Sequence, residues 1–316
     1  MNGVSVSRGQ ILTIGPMLLV ATCYGIAAPS RHPVNQIVAD TISADITTEE
    51  NPSEPLPHSC QTLSSQLRLR LPASWTTIVR EPLVIGGDLI ESDLEQLHEQ
   101  TIVPTMQALK SSYFERSPRH PIAILICSSD AQFRECNLRL DDRERERYSG
   151  IYSRKDRRVV VNISSGEGTL AHELTHALAH ADFPAMPEWF DEGLASLHEE
   201  CEFSLDGTQL IGNENWRREV AFEALQRGEL RMIEDVTSKR FGSADRANID
   251  YAHVRSLCLY LQESGFLESF YRTCRANSAT DPTGLHSLCR ATNSATPRSL
   301  DDAFQAWLIA RSSHRN

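Results

Sequence analysis

A helical pattern that starts near Thr169 and carries the string HELTH constrains the fold more than any other feature of the sequence. Leu170, Leu174 and Leu178 recur every four residues, which predicts a helix with one buried apolar face. Thr169 is expected to cap the start of this helix. Residues 149–163, just before it, have the pattern of two short strands joined by a turn. The helix is therefore expected to follow a strand and to pack on a sheet.

The string HELTH places His172 and His176 one helical turn apart, so both imidazoles project from one face and can share a metal ion. A catalytic zinc needs three protein ligands and an open position for water. Glu173 is placed to take a proton from such a water as it attacks a carbonyl. Chance HExxH strings lie mostly on surface helices, whereas this one lies in an amphipathic helix after a strand. The sequence therefore predicts one Zn²⁺ per chain.

Two residues are candidates for the third ligand. Glu192 lies in the amphipathic segment PEWFDEGLAS, which Pro187 is expected to start at the first helical position. The alternative is Asp182, six residues beyond His176, which approximates the HExxHxxGxxD pattern of metzincins. Ala179 stands where that pattern has a helix-breaking glycine, and continued helix would turn Asp182 about 120° away and about 9 Å along the axis. Glu192 is favoured.

The segments GTLAHELTHAL and WFDEGLAS resemble the gluzincin metallopeptidases, especially the peptidase MA-like group, and the resemblance covers roughly residues 83–311. It implies an α+β, zincin-like fold with a small mixed sheet packed on the HExxH helix and a mostly helical C-terminal part. DEGLAS is similar to the Asn-Glu-Gly-Phe-Ala-Ser block of M1-type aminopeptidases, in which the glutamate binds zinc. The resemblance thus implies that Glu192 is a ligand, with Asp191 replacing the asparagine.

Zinc peptidases commonly stabilise the oxyanion with a Tyr or His donor in addition to the metal. Tyr251 is the first choice, because it opens a predicted helix and is similar to a Tyr-Ala pattern in this group, and His253 is the second. The alternative for Tyr251 is simple packing with a hydrogen-bonded hydroxyl. His180 and His198 are expected to lie outside the site. Residues 159–163 are considered as an edge strand to which an extended peptide substrate adds, and the alternative, which holds for most such strands, is that they only complete the sheet.

The remaining periodic segments predict further helices and strands. Strands are expected at residues 77–85 and 122–127, and a long amphipathic helix at residues 93–114. Later helices are expected near residues 216–226, 251–263 and 300–311.

Residues 1–28 have the pattern of an export signal, with Arg8 before an apolar stretch and a cleavage position after Ala27. In a second interpretation, residues 20–23 form a bacterial lipobox and Cys23 is lipidated. Either signal predicts a protein that is secreted, periplasmic or lipid-anchored at the cell surface. Membrane contact is expected only through that anchor.

Residues 29–60 are rich in Pro, Ser, Thr and acidic residues and predict a flexible linker, which leaves residues 61–316 for one metallopeptidase domain. The net charge of −11 disfavours a nucleic-acid partner. No CxxC spacing occurs, so a cysteine-built zinc site is not expected.

These features predict zinc-dependent hydrolysis of peptide bonds in a peptide or protein substrate. Two alternatives are a non-proteolytic zinc-binding surface protein with a zincin fold and a zinc hydrolase that acts on cell-wall amides. Glu173 favours hydrolysis, because a scaffold has no need for a base.

Overall fold

The first described helix, α1 (Leu56–Arg70), begins within the range predicted to be linker, so the folded part starts a few residues earlier than expected. The computed structural model describes residues 55–142, 148–238, 241–243 and 245–312. The predicted export signal at residues 1–28, including Cys23, and most of the predicted linker at residues 29–60 lie outside the described residues.

A hairpin replaces the single strand predicted at residues 77–85. It consists of β1 (Thr76–Arg80) and β2 (Leu83–Gly87), which pair antiparallel around Glu81 and Pro82. A proline has no N–H to donate to a ladder, and so Pro82 favours a turn over a continuous strand.

The helix predicted at residues 93–114 is present but interrupted. It comprises α2 (Glu91–Leu97), one π-helical turn (His98–Ile102) and α3 (Val103–Ser112). Hydrophobic periodicity locates such a segment, but it does not reveal where one turn takes an extra residue.

A five-stranded mixed sheet forms the first half of the molecule. After β3 (Ile122–Cys127) and α4 (Asp130–Asp141) come β4 (Gly150–Ser153) and β5 (Arg158–Asn162). The strand order is β1-β2-β3-β5-β4, with parallel pairing in the centre and an antiparallel strand at each edge. This confirms the predicted α+β class with a small mixed sheet.

Of the two interpretations of residues 159–163, the edge strand is wrong and the strand that only completes the sheet is confirmed for residues 159–162. The strand β5 pairs with β3 on one side and with β4 on the other, and all five of its residues are buried. The outer strand is β4, and Ile163 belongs to a short 3₁₀ turn.

The helix that carries HELTH, α5 (Glu167–Asp182), packs on one face of the sheet. Leu170, Leu174 and Ala177 of this helix share one apolar cluster with side chains from β1, β2, β3 and β5. The opposite face packs on α1 and α4. Burial of these apolar surfaces fixes the orientation of α5, since the hydrophobic free energy gained grows with the area removed from water.

The second half of the chain is mainly helical. It comprises α6 (Glu188–Glu199), β6 (Cys201–Phe203), β7 (Leu210–Gly212), α7 (Trp216–Gln226), α8 (Ile233–Ser238), α9 (Ala247–Glu263), α10 (Leu267–Asn277), α11 (Leu285–Ala291) and α12 (Pro297–Ser312). The three later helices predicted from periodicity are confirmed, with shifted ends for α9 and α12.

The helix α6 packs on both α5 and α9. A Cβ on Gly193 would lie 2.8 Å from the Sγ of Cys258 and 3.0 Å from the carbonyl oxygen of Val254. Glycine therefore permits the close approach of α6 to α9, which brings residues of three helices to one place.

All seven cysteines within the described ranges are free thiols. None of the helices in the described part of the chain is long and apolar enough to cross a membrane.

Candidate metal centre

Glycines at the start of α5 set its position. Gly166 is the N-cap residue with φ of 110°, a conformation that L side chains rarely adopt. Thr169 lies inside the helix, so its predicted role as the cap is wrong. A Cβ on Gly168 would lie 2.0 Å from the carbonyl oxygen of Glu199, so Gly168 lets the first turn of α5 touch the end of α6.

The second helix of the site begins one residue later than predicted, because Pro187 is the N-cap residue and Glu188 the first helical one. All residues from 189 to 198 are buried. The carboxylate of Glu192 therefore projects into the interior between α5 and α6.

His172, His176 and Glu192 come together as one buried group whose candidate ligand atoms lie within 4.8 Å of one another. The two Nε2 atoms are 3.2 Å apart, and the Nε2 of His176 lies 3.7 Å from the Oε2 of Glu192. Two ligand atoms about 2.0–2.1 Å from a tetrahedral zinc are roughly 3.3 Å apart. The spacing of the histidines therefore fits a shared metal ion.

The electrostatics of the same three residues also fit a cation. The Oε2 of Glu192 is buried and has no hydrogen-bond partner among the described residues. Burial, together with the neighbouring Asp191, raises the pKa of Glu192 to about 8. Burial also lowers the pKa of His172 well below its usual value. The pKa of His176 moves the other way: burial lowers it, but the charges of Asp191 and Glu192 outweigh burial and raise it to about 10. The carboxylates therefore favour a positive charge at this position, and because a divalent metal takes the place of protons on its ligands, this group could hold a metal ion.

Asp191 links the group formed by His172, His176 and Glu192, called the metal group below, to a third histidine, His180. Its Oδ1 lies 2.9 Å from the Nδ1 of His176, and its Oδ2 lies 2.8 Å from the Nε2 of His180. A carboxylate on the far nitrogen of a ligand histidine fixes the ring and its tautomer. His180 was expected to lie outside the site. It is not part of the three-residue group, but through Asp191 it contributes to the orientation of His176.

Glu173 lies under the edge strand β4 and is 3% exposed. A Cβ on Gly150 would lie 2.7 Å from the Oε1 of Glu173, so the glycine makes room for this carboxylate. Burial raises the pKa of Glu173 to about 7, although the nearby His176 acts in the opposite direction. A carboxyl group with a pKa near neutrality is suited to both accept and return a proton.

Asp182, the alternative third ligand, lies at the other end of α5 and is fully buried. Its carboxylate accepts hydrogen bonds from the backbone N–H groups of Glu115 and Arg116, from the hydroxyl of Tyr271 and from Arg275. The structure therefore brings Glu192, and not Asp182, to the two histidines.

Tyr251 is one turn inside α9 and does not open it, because the helix starts at Ala247. Its ring packs on Phe241 with 5.0 Å between centroids. Burial raises the pKa of Tyr251 above its usual range, and the charge of Glu192 acts in the same direction. Tyr251 is therefore close enough to Glu192 for the charge of the carboxylate to affect its hydroxyl.

His253 and His198, the two other histidines considered from the sequence, lie outside the metal group. His253 is 1% exposed and stacks on Phe304, with 5.4 Å between ring centroids. The Nδ1 of His198 lies 3.2 Å from the Oγ1 of Thr175. Neither joins the three-residue metal group.

A buried arginine on α7, Arg217, was not singled out from the sequence. Burial is the largest cause of the lowered pKa of His172, the charge of His176 is the second, and the charge of Arg217 is the third. The pattern predicted the helix but gave no reason to place this side chain beside α5.

No known protein-family model matches this chain, and no curated protein matches it either. The geometry of the site is therefore the basis for assigning a function to this chain.

Proposed function

We propose that this protein is a zincin-like zinc metallopeptidase in which His172, His176 and Glu192 hold one Zn²⁺. A single observation carries the proposal: an unpartnered, buried carboxylate oxygen of Glu192 lies beside two imidazole nitrogens that face each other at 3.2 Å. Without a cation this arrangement is costly, because a buried polar group that lacks a partner loses its hydration with no compensation.

The chemistry of the proposed reaction follows from the neighbouring residues. A bound zinc ion would polarise a carbonyl and lower the pKa of a water molecule. Glu173 accepts the proton of the attacking water and returns it to the leaving amine. Its pKa of about 7 suits both transfers near neutral pH. The hydroxyl of Tyr251 donates to the oxygen that becomes negatively charged.

The edge strand β4 supports a peptide as the substrate. It ends the sheet, and its Gly150 lies against the carboxylate of Glu173. An extended peptide that pairs with β4 would therefore present its backbone next to the proposed base.

The buried Glu173 argues against a non-proteolytic scaffold. Glu173 accepts a hydrogen bond from the backbone of Tyr152 and is affected by the charge of His176, but burial still raises its pKa. A buried carboxyl group that is not one of the three proposed ligands is expensive to keep, and catalysis gives a reason to keep it. Hydrolysis of a cell-wall amide would use the same residues, and a direct comparison of the two substrates distinguishes the two activities.

The test is the zinc content of purified protein, measured by elemental analysis, together with hydrolysis of a peptide library and of cell-wall muropeptides. The wild type should hold about one zinc. Glu192→Ala should lose the metal, whereas Asp182→Ala should keep it. Glu173→Gln should keep the metal and lose activity by about 10²-fold or more.

Other results would contradict the proposal. A wild type that binds no zinc would exclude the metal centre, and loss of zinc from Asp182→Ala alone would reject Glu192 as a ligand. A Glu173→Gln variant with full activity would exclude Glu173 as the base.

A further inference from the structure

Tyr152 lies on the edge strand β4 and contacts two histidines of α5. Side chains alternate between the two faces of a strand. In β4, Tyr152 packs on the apolar cluster between the sheet and α5, whereas Ile151 packs on the cluster of the opposite face. The ring of Tyr152 stacks on that of His176, with 6.4 Å between centroids and 9° between planes. It also lies 5.3 Å from the ring centroid of His180. Tyr152 therefore covers one face of a proposed metal ligand.

The edge strand β4 is held along the length of α5. A Cβ on Gly150, at the start of the strand, would meet the side chain of Glu173. Arg154, just beyond the strand, donates to the carbonyl oxygen of Pro184, just beyond the end of α5. Tyr152 lies between these two contacts, and its backbone N–H donates to the carboxylate of Glu173. One residue of β4 thus contacts the proposed base through its backbone and a proposed ligand through its side chain.

The ring of His176 needs more than one contact to keep its orientation. The Oδ1 of Asp191 lies 2.9 Å from its Nδ1. That contact fixes the tautomer but still allows the imidazole to tilt, since the χ2 torsion of histidine has broad minima. The rings of His172 and His180 meet the ring of His176 at 73° and 31°, whereas Tyr152 lies nearly parallel to it. An aromatic ring that stacks on one face of the imidazole opposes such a tilt.

We propose that Tyr152 is a positioning residue of the metal group: its stacked ring holds His176 in the orientation in which its Nε2 faces the Nε2 of His172. The inference rests on the proposed function. It makes the edge strand β4 a structural part of the metal group and gives its aromatic residue a role in metal binding. Contacts that hold a metal-binding histidine in place change metal affinity by about 10- to 100-fold when they are removed.

The experiment measures the zinc affinity of the full chain by competition with a chelator. Tyr152→Ala removes the ring and should weaken zinc binding by about 10-fold or more. Tyr152→Leu fills the space without a flat face and should weaken zinc binding as well, so it also carries the test if Tyr152→Ala does not fold. Tyr152→Phe keeps the ring and should bind zinc as the wild type does. All three variants keep the backbone N–H that donates to Glu173.

Ile151→Ala is the matched control, because Ile151 is the neighbour of Tyr152 on the same strand and packs on the opposite face of the sheet. It should lower thermal stability and leave zinc affinity unchanged. Thermal unfolding of every variant is measured alongside. A loss of affinity in Tyr152→Ala that does not occur in Ile151→Ala separates the positioning of His176 from general destabilisation of the strand.

Cobalt(II) in place of zinc gives a second measurement, which a merely structural role would not change. The visible absorption of bound Co²⁺ depends on the number and arrangement of its ligands. Tyr152→Ala and Tyr152→Leu should change this spectrum, because His176 is free to tilt. Tyr152→Phe and Ile151→Ala should give the spectrum of the wild type.

The possible failures are distinguishable. A wild type that binds neither zinc nor cobalt would overturn the proposed function, and this inference with it. A wild type that binds both metals, with the same affinity and spectrum in Tyr152→Ala, would overturn this inference alone. Wild-type affinity in Tyr152→Leu would also overturn it, because filled space and not a stacked ring would then be what His176 requires.

Discussion

At the scale of single residues, Gly150 controls the position of the proposed base. A Cβ there would lie 2.5 Å from the Cγ2 of Thr169 and 2.7 Å from the Oε1 of Glu173. Gly150→Ala should therefore displace the carboxylate of Glu173 and lower kcat by about 10²-fold, since small misplacements of a catalytic group have effects of that size. Zinc content should not change, because the atoms nearest to that Cβ belong to Thr169 and Glu173 and not to the three proposed ligands.

The measurement combines steady-state kinetics with elemental analysis. The double variant Gly150→Ala with Thr169→Ala is the control, because it removes the contact with Thr169 and leaves the one with Glu173. It should remain as slow as Gly150→Ala. Full recovery of kcat in the double variant would show that Thr169, and not Glu173, is the group that Gly150 accommodates.

The sequence predicted the site residues whose relation is local. His172, Glu173 and His176 lie within one turn of a helix, so the 3.6-residue period alone places them together. Glu192 was favoured over Asp182 on helix geometry and was also implied by the resemblance, but the sequence alone does not reveal the tertiary contact between α5 and α6 that brings it to the histidines. Arg217 was missed because nothing near it in the sequence reveals which elements pack on α7.

At the scale of elements, Asp182 joins the end of α5 to the segment after α3 and to α10. Its carboxylate accepts from the N–H of Arg116 at 2.7 Å, from the hydroxyl of Tyr271 at 2.9 Å and from the Nη1 of Arg275 at 2.7 Å. Asp182→Ala should lower the free energy of unfolding by about 3 kcal/mol, because it leaves a partly buried arginine and other donors without an acceptor.

Urea denaturation measures this loss, and Tyr271→Phe is the comparison. It removes one hydrogen bond and keeps the ion pair, so it should cost only about 1 kcal/mol. Equal losses for the two variants would mean that the contribution of Asp182 comes mainly from the tyrosine. Both variants should retain zinc.

The elements themselves were predicted well where periodicity decides them, as with β3 and α7. The order of the strands in the sheet was not predicted. The sequence pattern of β5 shows that this strand is buried on both faces, but it does not show which strands flank it. The start of α5 was also misplaced. Thr169 is a good capping residue, but Gly166, with its φ of 110°, takes the N-cap position, and the helix therefore starts at Glu167.

At the scale of the whole molecule, Asp301 joins two helices of the C-terminal half. It lies in α12 and is 1% exposed, and both of its carboxylate oxygens accept from the N–H of Ile233 at the start of α8, at 3.0 and 3.3 Å. Burial raises the pKa of Asp301 to about 6, although the N–H of Ile233 and the charge of Arg298 act against it, while Asp302 and Asp235 add to it.

A carboxyl group whose pKa is higher in the folded than in the unfolded state binds its proton more tightly when folded. The contribution of Asp301 to stability is therefore complete below about pH 4 and is lost as the pH rises through about 6. The loss is at most about 3 kcal/mol, at about 1.4 kcal/mol per pKa unit. Asp301→Asn keeps an acceptor for Ile233 and cannot ionise, so its advantage over the wild type should grow between pH 4 and pH 7. Urea denaturation across that range measures the difference, and parallel pH profiles for the two proteins would show that Asp301 titrates alike in the folded and unfolded states.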